Sequence, residues 1–388
     1  MGLGPIDLTG SIIGGITQIQ TINLALIVGL IMIMSNLMEK SGHMTRLVNS
    51  FSHLAKDGRT VGSVMAALIG ILPMPGGALF SAPIVQAAIP AESITGEKKT
   101  ALNYWFRHIW EYWWPLYPGV ILAVTLLEVD AWRYMLIMIP MTLASVIAGI
   151  IFILRPIGKI ESHQKKTFES AGICAFIHEM IPILIVIFFI ICLTLLTTIL
   201  EIKGIGLKIN SSLSVLLGLV VSIAWIARTN KVSGDRLLLA VTSKNVWTMI
   251  FLVLSIIVFK EIMVESQAVV QIRNELVAYG IPILLIIIMM PFLSGIITGI
   301  ALGFVGASFP LIIPMFQTPD LFEYLSSAML AYTFGYMGMI LSPVHLCLLV
   351  TKDYFKANLL KSYLVIIKPA LTVMLTAVVL FILIRILF

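Results

Sequence analysis

Pro73-Met74-Pro75-Gly76-Gly77-Ala78-Leu79-Phe80-Ser81-Ala82-Pro83 lies in the middle of an apolar stretch running from 60 to 91. Two prolines remove backbone donors and two glycines allow a tight turn with close backbone approach. The stretch is too long for one crossing of a hydrocarbon core, which takes about 20 apolar residues as helix. It therefore reads as a helical hairpin that enters the membrane and turns back. Broken backbone in hydrocarbon is tolerated only where it is buried in protein or lines a wet cavity. Such a tip presents free N–H groups and a helix N-terminus to an anion, and free carbonyls to a cation. Pro75, Gly76, Gly77 and Ser81 are the candidate binding residues of this tip.

A second broken stretch, 282–316, carries Ser294-Gly295-Ile296-Ile297-Thr298-Gly299-Ile300-Ala301-Leu302-Gly303-Phe304-Val305-Gly306-Ala307-Ser308-Phe309-Pro310. Here Ser294, Thr298 and Ser308 can add hydroxyl ligands, and Gly295 bare backbone. The competing reading is that Gly295, Gly299 and Gly303, spaced every four residues, only permit close helix packing.

Around the two hairpins lie eight apolar spans, at about 22–40, 104–127, 133–154, 176–199, 211–228, 245–263, 325–350 and 365–386. Hydrophobic residues make up 59% of the chain and charged residues 11%, a balance that no soluble core can use. The expectation is an all-α membrane protein, with about eight transmembrane helices and two oppositely oriented re-entrant hairpins. With the hairpins in place, the loops 40–60, 92–100, 155–171, 228–244 and 351–361 fall on one side and hold 17 of the 25 Lys+Arg. The opposite side holds five: Arg133, Lys203, Lys208, Lys260 and Arg273. The positive-inside rule makes the first side cytoplasmic and the N-terminus external. If either broken stretch crossed fully, the basic loops would no longer share a side. The net charge of +6 thus reports orientation and not nucleic acid. Cys174, Cys192 and Cys347 lack metal or redox spacing and read as packing residues.

The two halves look like one unit repeated upside down. Ser41–Asn49 aligns with Ser266–Asn274 at an offset of 225. Tyr104, Phe106 and Pro115 match Tyr332, Phe334 and Pro343 at 228. Tyr134, Pro140 and the run 152–154 match Tyr363, Pro369 and 381–383 at 229. Inverted repeats of this kind belong to alternating-access transport. The expected division is 1–155 for the first repeat, 156–230 for a linker with two extra helices, and 231–388 for the second repeat. Nothing precedes the first repeat to match those extra helices, so either a pair was lost or the chain begins downstream of its natural start.

Chemistry concentrates in Asn103-Tyr104-Trp105-Phe106-Arg107-His108-Ile109-Trp110-Glu111-Tyr112-Trp113-Trp114-Pro115-Leu116-Tyr117-Pro118. Arg107 and Glu111 are spaced for one helical face, and ionisable groups at membrane depth face a cavity or each other. Arg107 offers a bidentate fork to a carboxylate, while Glu111 and His108 can carry a proton. The alternative is an interfacial tryptophan belt with a snorkelling Arg. In the matching segment, 332–346, Gly335, Gly338 and Pro343 are expected to unwind the helix beside Ser342, a candidate binding residue, and His345, a further candidate carrier of the coupling proton. Asn36, at the end of the first span, is a further candidate for a cation or ligand.

No Walker A sequence, soluble domain, Gly-x-Ser-x-Gly or metal-ligand spacing is present, which argues against a nucleotide-driven pump and against an enzyme. The motifs 73–83, 103–118 and 335–346 resemble those of a prokaryotic family of integral membrane proteins of unknown function. That family is similar to the ion transporter superfamily of citrate, dicarboxylate and gluconate permeases. The resemblance implies inverted units whose hairpin tips meet broken helices at a midplane site, a homodimer, and residence in the cytoplasmic (inner) membrane. Sodium-coupled members carry Ser-Asn-Thr at both tips, where this chain has Pro-Gly-Gly and Ser-Gly. The expected function is secondary transport of a small organic anion coupled to protons or sodium, with no other cofactor. The alternative is a cation/proton antiporter without an organic substrate.

Overall fold

The computed structural model describes residues 4–43, 46, 57–71, 73, 77–89, 93–160, 170–203, 211–316 and 318–387. These are helical throughout apart from turns and short links. Among the described residues, six helices are long and apolar enough to cross a membrane: Ile19–Lys40, Ala131–Ile157, Ile177–Leu200, Ser212–Thr229, Gly234–Glu265 and Leu359–Leu387. The window in Ile177–Leu200 has a mean hydropathy of 3.1 and is only 11% buried, so its outer surface is apolar and suits lipid, not water.

The other two expected spans are interrupted helices. Residues 104–127 divide into α5 (Gly96–Arg107) and α6 (Pro118–Leu127), separated by a run of turns. Pro118 begins α6 at the position where a missing N–H costs nothing. Residues 325–350 divide into α15 (Leu321–Ile340) and α16 (Leu346–Tyr354). Gly335 and Gly338, expected to unwind this helix, are helical; the break comes later, at 341–345, around Pro343. Both glycines instead allow close contact with Phe304, Pro291 and the backbone of Phe292.

The chain forms two compact units that cut across the expected sequence boundaries. The smaller comprises Gly15–Leu54 and Lys165–Ser255. Within it α2 (Ile19–Lys40) packs on α9 (Ser211–Thr229), which packs on α8 (Ser170–Ile202). Ser222 on α9 donates to the Pro182 carbonyl at 2.8 Å, tying α9 to α8. At one end, His43 Nε2 lies 2.7 Å from the Glu179 carbonyl, and Arg46 bonds Glu179 at 2.8 Å and Asn230 at 2.8 Å.

The larger unit, Met1–Gly14, Ala55–Gln164 and Ile256–Phe388, contains both broken stretches and both interrupted helices. The first stretch folds as α3 (Gly58–Gly70) packed on α4 (Ala78–Ala88). Asp57 caps α3 by accepting from the Arg59 N–H, and Gly58 abuts the Ala88 carbonyl, so the pair starts and finishes at one end of the unit. The second folds as α13 (Ile283–Thr298) packed on α14 (Ala301–Ile312), with Gly299 at φ +63° closing α13. Ile283 and Phe316 line one cavity of about 220 Å³, so this pair also starts and finishes together.

Loops sort by end. Gly58 N–H donates to Ile160 (2.9 Å), Arg59 to Leu154 (2.9 Å) and Lys98 to Pro156 (3.3 Å), while Asn358 N–H donates to Glu97 (3.2 Å). Apart from Leu154, the last residue of its span, all belong to the loops assigned to the basic side. At the opposite end Tyr324 donates to Leu127 (3.1 Å) and Lys260 meets Glu128 (3.5 Å).

Packing repeats under exchange of the halves. α4 packs on α16 as α14 packs on α6, and α5 packs on α17 (Leu359–Leu387) as α15 packs on α7 (Ala131–Gly149). A Cβ on Gly70 would overlap the Arg107 carbonyl, and one on Gly295 would overlap the Gly335 carbonyl. Both members of that second pair are offset from the first by the spacing of the repeat.

Candidate functional site

The site is built where the two helix pairs and the two interrupted helices meet, inside the larger unit. α5 stops at Arg107 because the turns that follow, ending at Pro115 and Pro118, cannot continue its hydrogen-bond ladder. That stop delivers Arg107, His108 and Glu111 in succession from loosely wound backbone. The three do not share a helical face, since the helix ends before Glu111. On the other side, the break after Ile340 presents Ser342 and His345, and the first turn of α16 presents Cys347.

These groups are shut away from solvent: Arg107 is 2% exposed, His108 3%, Glu111 7%, His345 6% and Cys347 8%. The Arg107 Nη1 donates to Cys347 Sγ at 3.3 Å. Its Nη2 lies so near Gly77 that a Cβ there would force the guanidinium to shift, which puts it against the N-terminal end of α4. His108 Nε2 is 3.2 Å from His345 Nε2 and 3.7 Å from a Glu111 carboxylate oxygen. His108 Nδ1 lies 2.6 Å from the Tyr104 carbonyl, and His345 Nδ1 lies 2.7 Å from the Gly299 carbonyl.

A tyrosine frame holds the broken backbone in place. Tyr332 donates to the Glu111 carbonyl at 2.9 Å, Tyr336 to His108 at 2.6 Å and Tyr117 to Gly70. Tyr104 donates to Ile340 at 2.9 Å. Carbonyls released by the helix breaks are thereby paired, as buried backbone requires. A water-sized cavity of about 10 Å³ touches His108, Tyr112, Ser145 and Tyr336.

The interfacial tryptophan belt is not what forms. Trp105, Trp110 and Trp113 donate inward, to the Ser145 carbonyl, the Ala67 carbonyl and the Thr142 hydroxyl at 2.9, 2.8 and 2.9 Å.

The structure brings together Arg107, His108, Glu111, Ser342, His345 and Gly77. Ser342 Oγ donates to the Ile296 carbonyl at 2.7 Å, tying the second break to the second pair. Ser81, fully buried on α4, has a hydroxyl without a hydrogen-bond partner among the described residues. Pro75 and Gly76 lie outside the described residues. Three expected ligands are used otherwise. Gly295 is a close-packing position against Gly335, Thr298 bonds back to Ser294 at 2.7 Å, and Ser308 bonds back to Phe304 at 2.6 Å. Ser294 serves through its carbonyl as the acceptor for Thr298. A hydroxyl bonded to its own helix one turn back is satisfied locally. Asn36 is half-buried on α2, in the smaller unit.

Cys347 is the site residue that sequence reasoning passed over, because one cysteine in an apolar run looks like packing. Its offset of two from His345 was the available signal. No curated protein matches the chain at a significant level. The family described as "Protein of unknown function (DUF401)" matches residues 11–383, and the chain belongs to that family.

Proposed function

We propose that this chain is a secondary active transporter that moves a small organic anion bearing a carboxylate, coupled to protons or sodium, by alternating access. The observation that carries this reading is the buried Arg107 guanidinium set against Gly77, where the first helix pair meets the first break. A guanidinium is retained at membrane depth where function needs its charge, and its planar fork matches a carboxylate. The N-terminal end of α4 and the unpartnered Ser81 hydroxyl favour an anion in the same place. Glu111 and the facing rings of His108 and His345 supply groups able to carry a coupling proton.

Counting each interrupted helix as one crossing gives eight crossings, with Gly58–Ala88 and Ile283–Ile312 as re-entrant hairpins of opposite sense. The end gathering Arg59, Lys98 and Asn358 is then cytoplasmic, in the inner membrane of a prokaryote, and the protein works as a homodimer. Movement of the helix pairs, which share the larger unit with the whole site, would open the site to alternate sides.

Thermal unfolding of the purified protein against a panel of organic acids tests the binding step. One acid at about 100 times its Kd should stabilise the protein by about 2.7 kcal/mol. Arg107→Gln should abolish that shift, and Arg107→Lys, which keeps the charge but loses the fork, should weaken it. A panel without a stabilising acid, or a shift retained in Arg107→Gln, sinks the reading.

A cation/proton antiporter is the second reading, and the convergence of His108, His345 and Glu111 favours it. Proton movement on addition of Na⁺ or K⁺ alone would select it.

A further inference from the structure

The two histidines pose a problem that the transport reading leaves unsolved. A carbonyl oxygen only accepts, so the Tyr104 and Gly299 carbonyls require hydrogen on Nδ1 of His108 and of His345. In the neutral rings both Nε2 atoms are then bare lone pairs, and they face each other 3.2 Å apart in a buried place. Two acceptors at that distance repel unless a positive centre lies between them. A shared proton would answer for the rings alone. It would leave unexplained why a third donor converges on the same point, with a carboxylate beside it. The Cys347 sulfur and the two ring nitrogens lie within 4.8 Å of one another, and a Glu111 oxygen is 3.7 Å from His108 Nε2.

We propose that His108, His345 and Cys347, with Glu111 as fourth ligand, form a binding site for a thiophilic divalent transition-metal ion of the zinc class. Zinc binds imidazole at about 2.0–2.1 Å, so two nitrogens at a tetrahedral angle stand about 3.3 Å apart, close to the spacing of the two rings. Both rings donate their remote N–H to a backbone carbonyl, which is how metal-ligating histidines are oriented and made better donors. The mixed nitrogen, sulfur and carboxylate set selects such an ion over Na⁺, Mg²⁺ or Ca²⁺, which prefer oxygen alone. Binding takes the sulfur as thiolate and releases its proton to solvent. Thiolate and carboxylate balance the two charges of the ion, while Arg107, donating to the sulfur, holds the thiolate in place. The ligands come from both inverted halves, so the ion would tie the two helix breaks together. This site goes beyond the anion reading and does not depend on it.

Cobalt(II) tests the proposal as a spectroscopic probe, on full-length protein freed of any histidine tag and stripped by chelator. The expected result is one Co²⁺ per chain, with tetrahedral ligand-field bands and a thiolate-to-cobalt charge-transfer band, displaced by Zn²⁺. Cys347→Ser should remove the charge-transfer band, whereas Cys174→Ser with Cys192→Ser should keep it. His345→Gln should weaken binding by more than the roughly 10–100-fold that second-shell losses alone produce. Size-exclusion profiles of the variants separate ligand loss from misfolding, and the wild-type protein is decisive by itself. A wild type without the charge-transfer band, or a band that survives Cys347→Ser, overturns the site and leaves a proton shared by the two rings. Either outcome leaves the anion-binding test standing, because that test reads Arg107 and organic acids without metal.

Discussion

Tyr104 and Tyr332 occupy equivalent places in the two halves, and each donates across to the other half's helix break, to Ile340 and to Glu111. Removing either hydroxyl leaves a buried carbonyl without a partner, at a cost of about 1–3 kcal/mol. Tyr104→Phe and Tyr332→Phe should therefore lower thermal stability by similar amounts; an effect confined to one of them would contradict the equivalence. In the smaller unit, burial holds the His43 imidazole below its usual range, against the pull of the Glu179 carbonyl and carboxylate and with Arg46 adding to it. Because the folded state resists protonation here, the unfolded chain binds more protons as pH falls. The stabilisation is thus full above about pH 6.5, the ordinary histidine value, and is lost on acidification below it. His43→Gln should flatten the pH dependence of unfolding across that window, and an unchanged profile would remove His43 from the account. Arg107, His108, Glu111 and His345 were legible in the sequence because ionisable groups in apolar runs are costly and stand out. Cys347 was not, since a thiol carries no such cost; nor were the roles of Thr298 and Ser308, whose hydroxyls simply bond back along their own helices.

At the scale of elements, two close crossings hold each helix pair to its interrupted partner. Gly70 sits on the Arg107 carbonyl and Gly295 on the Gly335 carbonyl, with no room for a methyl at either. Gly70→Ala and Gly295→Ala should each destabilise by about 1–3 kcal/mol or more through forced backbone shifts. Gly70→Ala should also disturb binding at Arg107, because the displaced backbone is that of the site itself. Wild-type stability in both variants would refute these crossings. Pro and Gly in the middle of apolar runs made the broken elements visible before any coordinates. Where each break fell was less visible: α15 stays helical through Gly335 and Gly338, since packing against Phe292 and Phe304 outweighs their flexibility. Propensity marks where a helix can break, and tertiary contact decides whether it does.

For the whole molecule, the offsets of the repeat were readable in sparse matches of Tyr, Phe and Pro. The compact units were not, because symmetry-related elements interlock and both halves contribute to the larger one. Of the loops that charge counting placed on one side, those at 57–60, 92–100, 155–160 and 351–361 meet at one end of that unit. If that end is cytoplasmic, cysteines introduced at Lys356 and at Asp320 should react with impermeant reagent from opposite sides of the membrane. Reaction from the same side would undo the topology. The central claim, a carboxylate carried past Arg107, is tested most directly in proteoliposomes holding a pH-sensitive dye. Organic acids are applied with and without Na⁺ to the wild type and to Arg107→Ala. The account predicts uptake specific to one acid, accompanied by an ion, and lost in the variant. Flux driven by Na⁺ or K⁺ alone, and indifferent to Arg107→Ala, would contradict it.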